Sequence, residues 1–154
     1  MKFSPLTRRR NTSARTLLMC CGLGSMLLSG ATHAQETVTT TAVSCPAQDF
    51  SPFLTAFRND VQIQRAFTTI PLAYSMLDDE FNPRHFSMQA ADFTFPVMAS
   101  TQSVHAEGII AEVSVQKDTA TVAEQQAGTG RYTVYLFQRQ NGCWRLHAID
   151  DQST

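Results

Sequence analysis

The sequence is poor in the features that announce a chemistry. Beyond residue 34 cysteine is reduced to Cys45 and Cys143, with no CxxC pair. The histidines of that region, His85, His105 and His147, are widely spaced and form no HxH or HExxH, so a metal site of standard spacing is not expected. No GxSxG elbow presents a serine nucleophile. Gly128-x-Gly130 lacks the third glycine and the strand-to-helix setting of a dinucleotide loop. Three adjacent carboxylates, Asp78-Asp79-Glu80, lack the alternating oxygen ligands of a calcium loop. No cofactor is expected.

Long hydrophobic runs are missing too. Leu17 to Leu28 is an apolar stretch of about a dozen residues, short of the roughly 20 that span a bilayer. Before it lie Lys2, Arg8, Arg9, Arg10 and Arg15, and after it Thr32-His33-Ala34 puts small residues where a signal peptidase reads. Residues 1–34 therefore read as a general secretion signal cleaved after Ala34. Met19 before Cys20 argues against a lipoprotein signal. Arg10-Asn11 after Arg8-Arg9 breaks the twin-arginine pattern. The expected location is periplasmic or secreted, with no membrane span once the signal is removed.

Removing the leader changes the charge. Seven Lys plus Arg then face thirteen Asp plus Glu, a net charge of −6 in place of −1 for the whole chain. Such a domain has no footprint for nucleic acid and favours partners with a basic surface. In an oxidising compartment Cys45 and Cys143 are expected to pair.

Residues 35–44 read as a flexible, Thr-rich linker, and 45–154 as one domain. Ser51-Pro52 has the form of a helix start, Ser as cap and Pro in the first turn. Phe50, Phe53, Leu54, Phe57 and Val61 follow at helical spacing, and Asp60 can cap a second helix with Ile63, Ala66 and Phe67 inward. From Thr68 the period becomes two, with Ile70, Leu72, Tyr74 and Met76 on one side. Pro71 makes this an edge or starting strand. Residues 81–103 show no sustained period. A strand from about Gly108 to Gln116, with Ile109, Ala111, Val113 and Val115 on one face, precedes a weaker one from Thr119 to Gln125.

The closing segment, Gly130 to Asp151, reads as a hairpin about Asn141-Gly142, a dipeptide that tolerates positive φ at both turn positions. A two-residue turn places Arg139 opposite Trp144, Phe137 opposite Leu146, Tyr135 opposite Ala148 and Thr133 opposite Asp150. The other face then pairs Gln138 with Arg145, Leu136 with His147, Val134 with Ile149 and Tyr132 with Asp151. Both faces carry enough apolar surface to expect cover on each side.

FSPFLTAFRNDVQIQRAF, TTIPLAYSM and YTVYLFQRQNGCWRLHAIDD together resemble the nuclear transport factor 2 and ketosteroid isomerase superfamily, and within it uncharacterised secreted bacterial members. The resemblance implies an α+β fold: N-terminal helices packed on a strongly curved antiparallel sheet, a cone closed by a C-terminal β-hairpin. That fold hosts enzymes, binding modules and dimers alike. The isomerases of the superfamily use a carboxylate base and an oxyanion hole of Tyr and protonated Asp. Tyr74, Tyr132, Tyr135, Asp92 and His147 are the residues here of matching type, but none stands in a matching motif.

The binding candidates are His147, Leu136, Tyr132 and Arg145 on the outer hairpin face, with Asp78, Asp79, Glu80 and Asp151 as carboxylates for a basic partner. The leading expectation is an exported, non-enzymatic binding domain, concretely an inhibitor or immunity protein against a basic, cell-envelope-directed partner. The alternative is a small-molecule site or an isomerase- or dehydratase-like enzyme using a cavity of the cone. A homodimer through the sheet face is the third.

Overall fold

The computed structural model describes residues 43–154. The expected signal peptide and all but the end of the 35–44 linker lie outside the described residues. Two helices lead, α1 (Phe50–Asn59) and α2 (Val61–Phe67), followed by β1 (Thr68–Leu77) and β2 (Pro83–Met88). A third helix, α3 (Thr101–Ala106), precedes β3 (Ile109–Val115), β4 (Thr119–Gln126), β5 (Arg131–Gln140) and β6 (Cys143–Asp151). The segment 81–103, unreadable by period, contributes β2 and the start of α3. The six strands form one sheet in the order β2-β1-β6-β5-β4-β3. Among the described residues no helix is long and apolar enough to cross a membrane.

The α+β architecture agrees with the sequence reading in its layers but not in one strand direction. The sheet is mixed, because β1 runs parallel to β6. Hairpins force antiparallel neighbours, and β3 to β6 follow that rule. The β1–β6 pair is non-local, so side-chain period carries no information about its direction.

Phe50, Phe53, Leu54 and Phe57 form the buried stripe of α1, as their spacing requires. Its N-cap is Asp49 rather than Ser51, so Pro52 sits inside the first turn, where N–H groups have no intrahelical acceptor. Asp60 caps α2 by accepting from the N–H groups of Gln62 and Ile63. Val61 falls on the exposed side, one residue after the chain has broken from α1. On β1, Leu72 is buried and Tyr74 half-buried. A register shift between Thr68 and Ala73 turns Ile70 outward, and Met76 lies near the open end of the sheet; both are exposed.

The core is aromatic. Phe50 meets Trp144 edge-on at 5.0 Å, and Phe57 meets Phe137 at 5.3 Å. Phe67, Leu72, Met98, Val122 and Leu146 complete it. Such rings fill the space between α1 and the sheet, each edge-to-face pair contributing about 0.5–1.5 kcal/mol beyond burial. Buried Gln64 binds the loop that closes over them: its Nε2 donates to the Met98 carbonyl at 2.9 Å, and its Oε1 accepts from Val97 N–H at 2.7 Å. Cys45 and Cys143 are disulfide-bonded, which ties the start of the domain to the hairpin turn.

The hairpin turn has positive φ at both Asn141 and Gly142, as expected of the dipeptide. The register holds from Gln140 to Phe137 and then shifts by one residue at a bulge between Leu136 and Phe137. His147 is the extra residue. Tyr135 therefore faces Ile149, Leu136 faces Ala148, Val134 faces Asp150 and Thr133 faces Asp151. The expected pairs Tyr135 with Ala148, Leu136 with His147, Val134 with Ile149, Thr133 with Asp150 and Tyr132 with Asp151 do not form. The buried order Trp144, Leu146, Ile149 skips a step at the bulge, and this keeps Ile149 in the core.

On β3 only Ile109 is buried, while Val113 and Val115 are exposed. The strand lies at the open edge of the sheet, beyond the reach of α1.

Candidate functional site

The parallel pairing of β1 and β6 aligns Ser75 with Asp150 and Met76 with Asp151. Both strands thus run toward the same end of the sheet, and the acidic turn Asp78-Asp79-Glu80 follows β1 directly. Five carboxylates that the sequence holds as two separate groups are thereby gathered at one end.

Their roles differ. Asp78 forms the turn: its Oδ1 accepts from the N–H groups of Asn82 at 2.9 Å and Glu80 at 3.0 Å. The Asn82 N–H is the main reason its carboxyl lies below the usual carboxylate range. Asp79 and Glu80 are exposed, and beside them Phe81, at φ 62°, is 68% exposed. Such a residue at positive φ is held there by its turn, since a bulky side chain seldom adopts that backbone. Met76 and Phe86 are exposed along the same ribbon, where Tyr74, Met76, Phe86, Met88 and Asp92 line a groove of 560 Å³.

Because strand neighbours alternate in side-chain direction, Asp150 and Asp151 face opposite sides of the sheet. Asp151 points to the concave side. It accepts from the Tyr74 hydroxyl at 3.2 Å and the Ser153 N–H at 3.1 Å, with Thr133 at 3.4 Å. Burial pushes its carboxyl up, but these bonds outweigh burial and leave it below the ordinary value. Arg131, Thr133, Tyr135 and Asp151 line a pocket of 400 Å³ at this mouth. Tyr135 is 5% exposed, and no hydrogen-bond partner for its hydroxyl is found among the described residues. Burial, followed by the charge of Glu124, pushes its phenol up to about 12. Deeper in the cone the aromatic core occupies the space, so the openings lie at the rim.

Asp150 points to the convex side. The Ser75 hydroxyl donates to its Oδ1 at 2.6 Å and Gln152 Nε2 to its Oδ2 at 2.6 Å. A second pocket, of 330 Å³, is lined there by Ala73, Ser75, His85, Leu136, Ala148 and Asp150.

The four outer-face candidates do not form one site. His147 is the exposed bulge residue, and Leu136 pairs with Ala148 in its stead. Arg145 donates to the Thr68 carbonyl at 3.3 Å and lies over the Phe67 ring, a tie between β6 and α2. Tyr132 stands on β5 opposite Gln125. The acidic candidates do come together, and Leu136 joins Asp150 at the convex pocket. Sequence reasoning missed Ser75 as a partner of Asp150 and Thr133 as a partner of Asp151. The skipped alternation after Leu146 was the available signal, since it alone decides which of the two aspartates faces the mouth.

No family model matches the chain, and neither does any curated protein. Among solved structures, a nuclear transport factor 2-like protein from Bacteroides fragilis NCTC 9343 is similar, with a TM-score of 0.52 and 19% identity. The likeness covers 69% of this chain and 47% of that one, so the chain spans about half the length of that protein. A nuclear transport factor 2-like protein from Cytophaga hutchinsonii gives a TM-score of 0.36 at 12% identity, covering 66% of this chain and 88% of its own. One with a cystatin-like fold from Novosphingobium aromaticivorans gives 0.31 at 19% identity, covering 65% and 72%. The fold of the described domain is that of the nuclear transport factor 2-like proteins.

Proposed function

We propose that this nuclear transport factor 2-like domain is an exported, non-enzymatic binding module that engages a basic protein through the acidic end of its sheet. Its most concrete form is an inhibitor or immunity protein for a basic partner directed at the cell envelope. One observation carries the reading: the parallel β1–β6 pairing brings Asp78-Asp79-Glu80 and Asp150-Asp151 to the same end of the sheet. Exposed Phe81, Met76 and Phe86 beside them supply apolar anchors. The disulfide fits an oxidising, extracytoplasmic location, and the charge of −6 after loss of the leader fits a basic partner.

Charges at a rim act mainly on the association rate. With a partner purified from periplasm or from the secretions of neighbouring cells, Asp79→Lys/Glu80→Lys should slow association roughly tenfold at low salt, and added salt should erase the difference. Equal association rates for the two proteins at low salt would refute the acidic end as the binding surface.

A second reading is favoured by the mouth pocket, where the unpartnered Tyr135 hydroxyl and the Asp151 carboxylate face one cavity. It is a site for a small polar molecule that offers both an acceptor and a donor. Loss of such binding in Tyr135→Phe with retained folding would support it, and unchanged binding would end it.

A further inference from the structure

We propose that the convex pocket is a slot for one arginine side chain of the basic partner. This rests on the reading of the acidic end as a partner surface and names the side chain that the surface takes. Four neighbouring strands build it. Ala73 of β1 pairs with Ala148 of β6, which in turn faces Leu136 of β5; one step along, Ser75 pairs with Asp150 on one side and with His85 of β2 on the other. Small side chains in the middle keep the floor low, and larger ones at the sides raise the walls. The resulting hollow of 330 Å³ has an apolar floor of Ala73, Ala148 and Leu136 and a carboxylate, Asp150, beside it.

The carboxylate is prepared for a fork. Each oxygen of Asp150 already accepts one hydrogen bond, Oδ1 from Ser75 and Oδ2 from Gln152. A carboxylate oxygen has two acceptor positions, so one remains on each. Two parallel acceptors match the two N–H groups on one edge of a guanidinium, whereas an ammonium would use them as a point charge. The methylene stem would lie on Leu136, Ala148 and Ala73, as such stems commonly do on apolar surface.

The chain's own cations do not fill this position. Arg58 pairs with Glu124, Arg84 is nearest Asp78, and Arg131 pairs with Glu107; among the described residues no cation is within salt-bridge reach of Asp150. With thirteen acidic against seven basic residues after the leader, the missing charge is expected from outside. The bulge at His147 is what makes the slot possible, because without it Ala148 and Asp150 would face the core.

The test uses the chain from Gln35 to Thr154 with its disulfide intact and two capped pentapeptides, Gly-Gly-Arg-Gly-Gly and the same peptide with neutral citrulline for arginine. Amide shifts are followed by NMR at low salt. Saturable shifts at Ala73, Ser75, Leu136, Ala148 and Asp150 with the arginine peptide, and none with citrulline, are expected. Asp150→Asn should weaken that binding at least fivefold while the melting temperature holds. Ala148→Leu should block it without any change of charge.

Shifts confined to Asp79 and Glu80 would overturn the slot and leave the acidic end standing as the partner surface. Shifts nowhere would overturn both. Slot shifts that persist in Asp150→Asn would overturn the fork. A dimer in sedimentation that Ala148→Leu dissociates would assign this face to a second copy of the chain and overturn the slot.

Discussion

Arg58 of α1 and Glu124 of β4 form an ion pair inside the core, their side chains 7% and 0% exposed. Arg58 also donates to the Ala99 carbonyl at 3.1 Å, so one side chain links the first helix, the sheet and the loop before α3. Glu124 has no hydrogen bond from any other described group. Desolvating two charges is costly, and the pair holds only because each offsets the other. Arg58→Met should therefore destabilise the domain by about 3–5 kcal/mol, by leaving a buried carboxylate alone. The double variant Arg58→Met/Glu124→Leu should recover most of that loss. Urea unfolding of the three proteins checks it, and a double variant no better than Arg58→Met would show that the charges are not what matters.

The disulfide constrains nearly the whole domain, because Cys45 and Cys143 are separated by 98 residues. In the chain-entropy model a loop of about 100 residues contributes up to roughly 4.7 kcal/mol by restricting the unfolded chain. The strap it anchors also receives the core: the Gln48 carbonyl accepts from Trp144 Nε1 at 2.8 Å and from Arg139 at 2.9 Å, with Arg139 over the Trp144 ring. Cys45→Ser/Cys143→Ser should thus lower the denaturant midpoint and shift Trp144 emission to the red. The protein has a single tryptophan, so the emission reports on this place alone. An unchanged midpoint would contradict the entropic account, and an unchanged spectrum would mean that Gln48 holds without the bridge.

Gln64 acts as a clamp on a loop with no regular structure of its own. Its side chain is fully buried and meets Val97 and Met98 through three hydrogen bonds. Gln64→Leu has nearly the same volume but leaves those backbone groups unpaired, which costs about 1–3 kcal/mol for each group that water cannot reach. Amide exchange at Val97 and Met98 should accelerate well beyond that of β5. Exchange that speeds equally everywhere would instead indicate global destabilisation.

Helices α1 and α2 and the β5–β6 turn were legible because their causes are local. Phe spacing decides the buried stripe of α1, Asp60 caps α2, and Asn141-Gly142 accepts the two positive φ values of the turn. What was not legible is non-local or irregular. Nothing in the period of β1 says that it pairs with β6, or in which direction. The bulge at His147 inverts the faces of every residue after it. An expected site of His147, Leu136, Tyr132 and Arg145 therefore divides among a bulge, a slot, an exposed strand position and a structural tie. Gln64, Arg58 and Glu124 read as surface residues on any polarity scale, and burial of such residues becomes visible only with their partners.

Tyr135 gives a test that reaches from stability to function. Its phenol is pushed up to about 12 in the folded protein, by burial first and by Glu124 next, against 10 in the unfolded chain. A raised folded pKa means that the native state holds its proton more tightly. The contribution is fully present below pH 10, and stability falls between pH 10 and 12 as the unfolded state alone releases its proton. Two units correspond to about 3 kcal/mol lost across that window. Tyr135→Phe should flatten this part of the stability curve, and an equally steep loss in the variant would assign it to other groups. At pH 7 the same variant should fold with almost undiminished stability, since the hydroxyl has no partner among the described residues and its removal breaks no bond. A hydroxyl that the fold does not need, lining the mouth beside Asp151, would be free to meet a ligand there. A large loss of stability at pH 7 would instead make the hydroxyl a structural group and remove the main support for a small-molecule site.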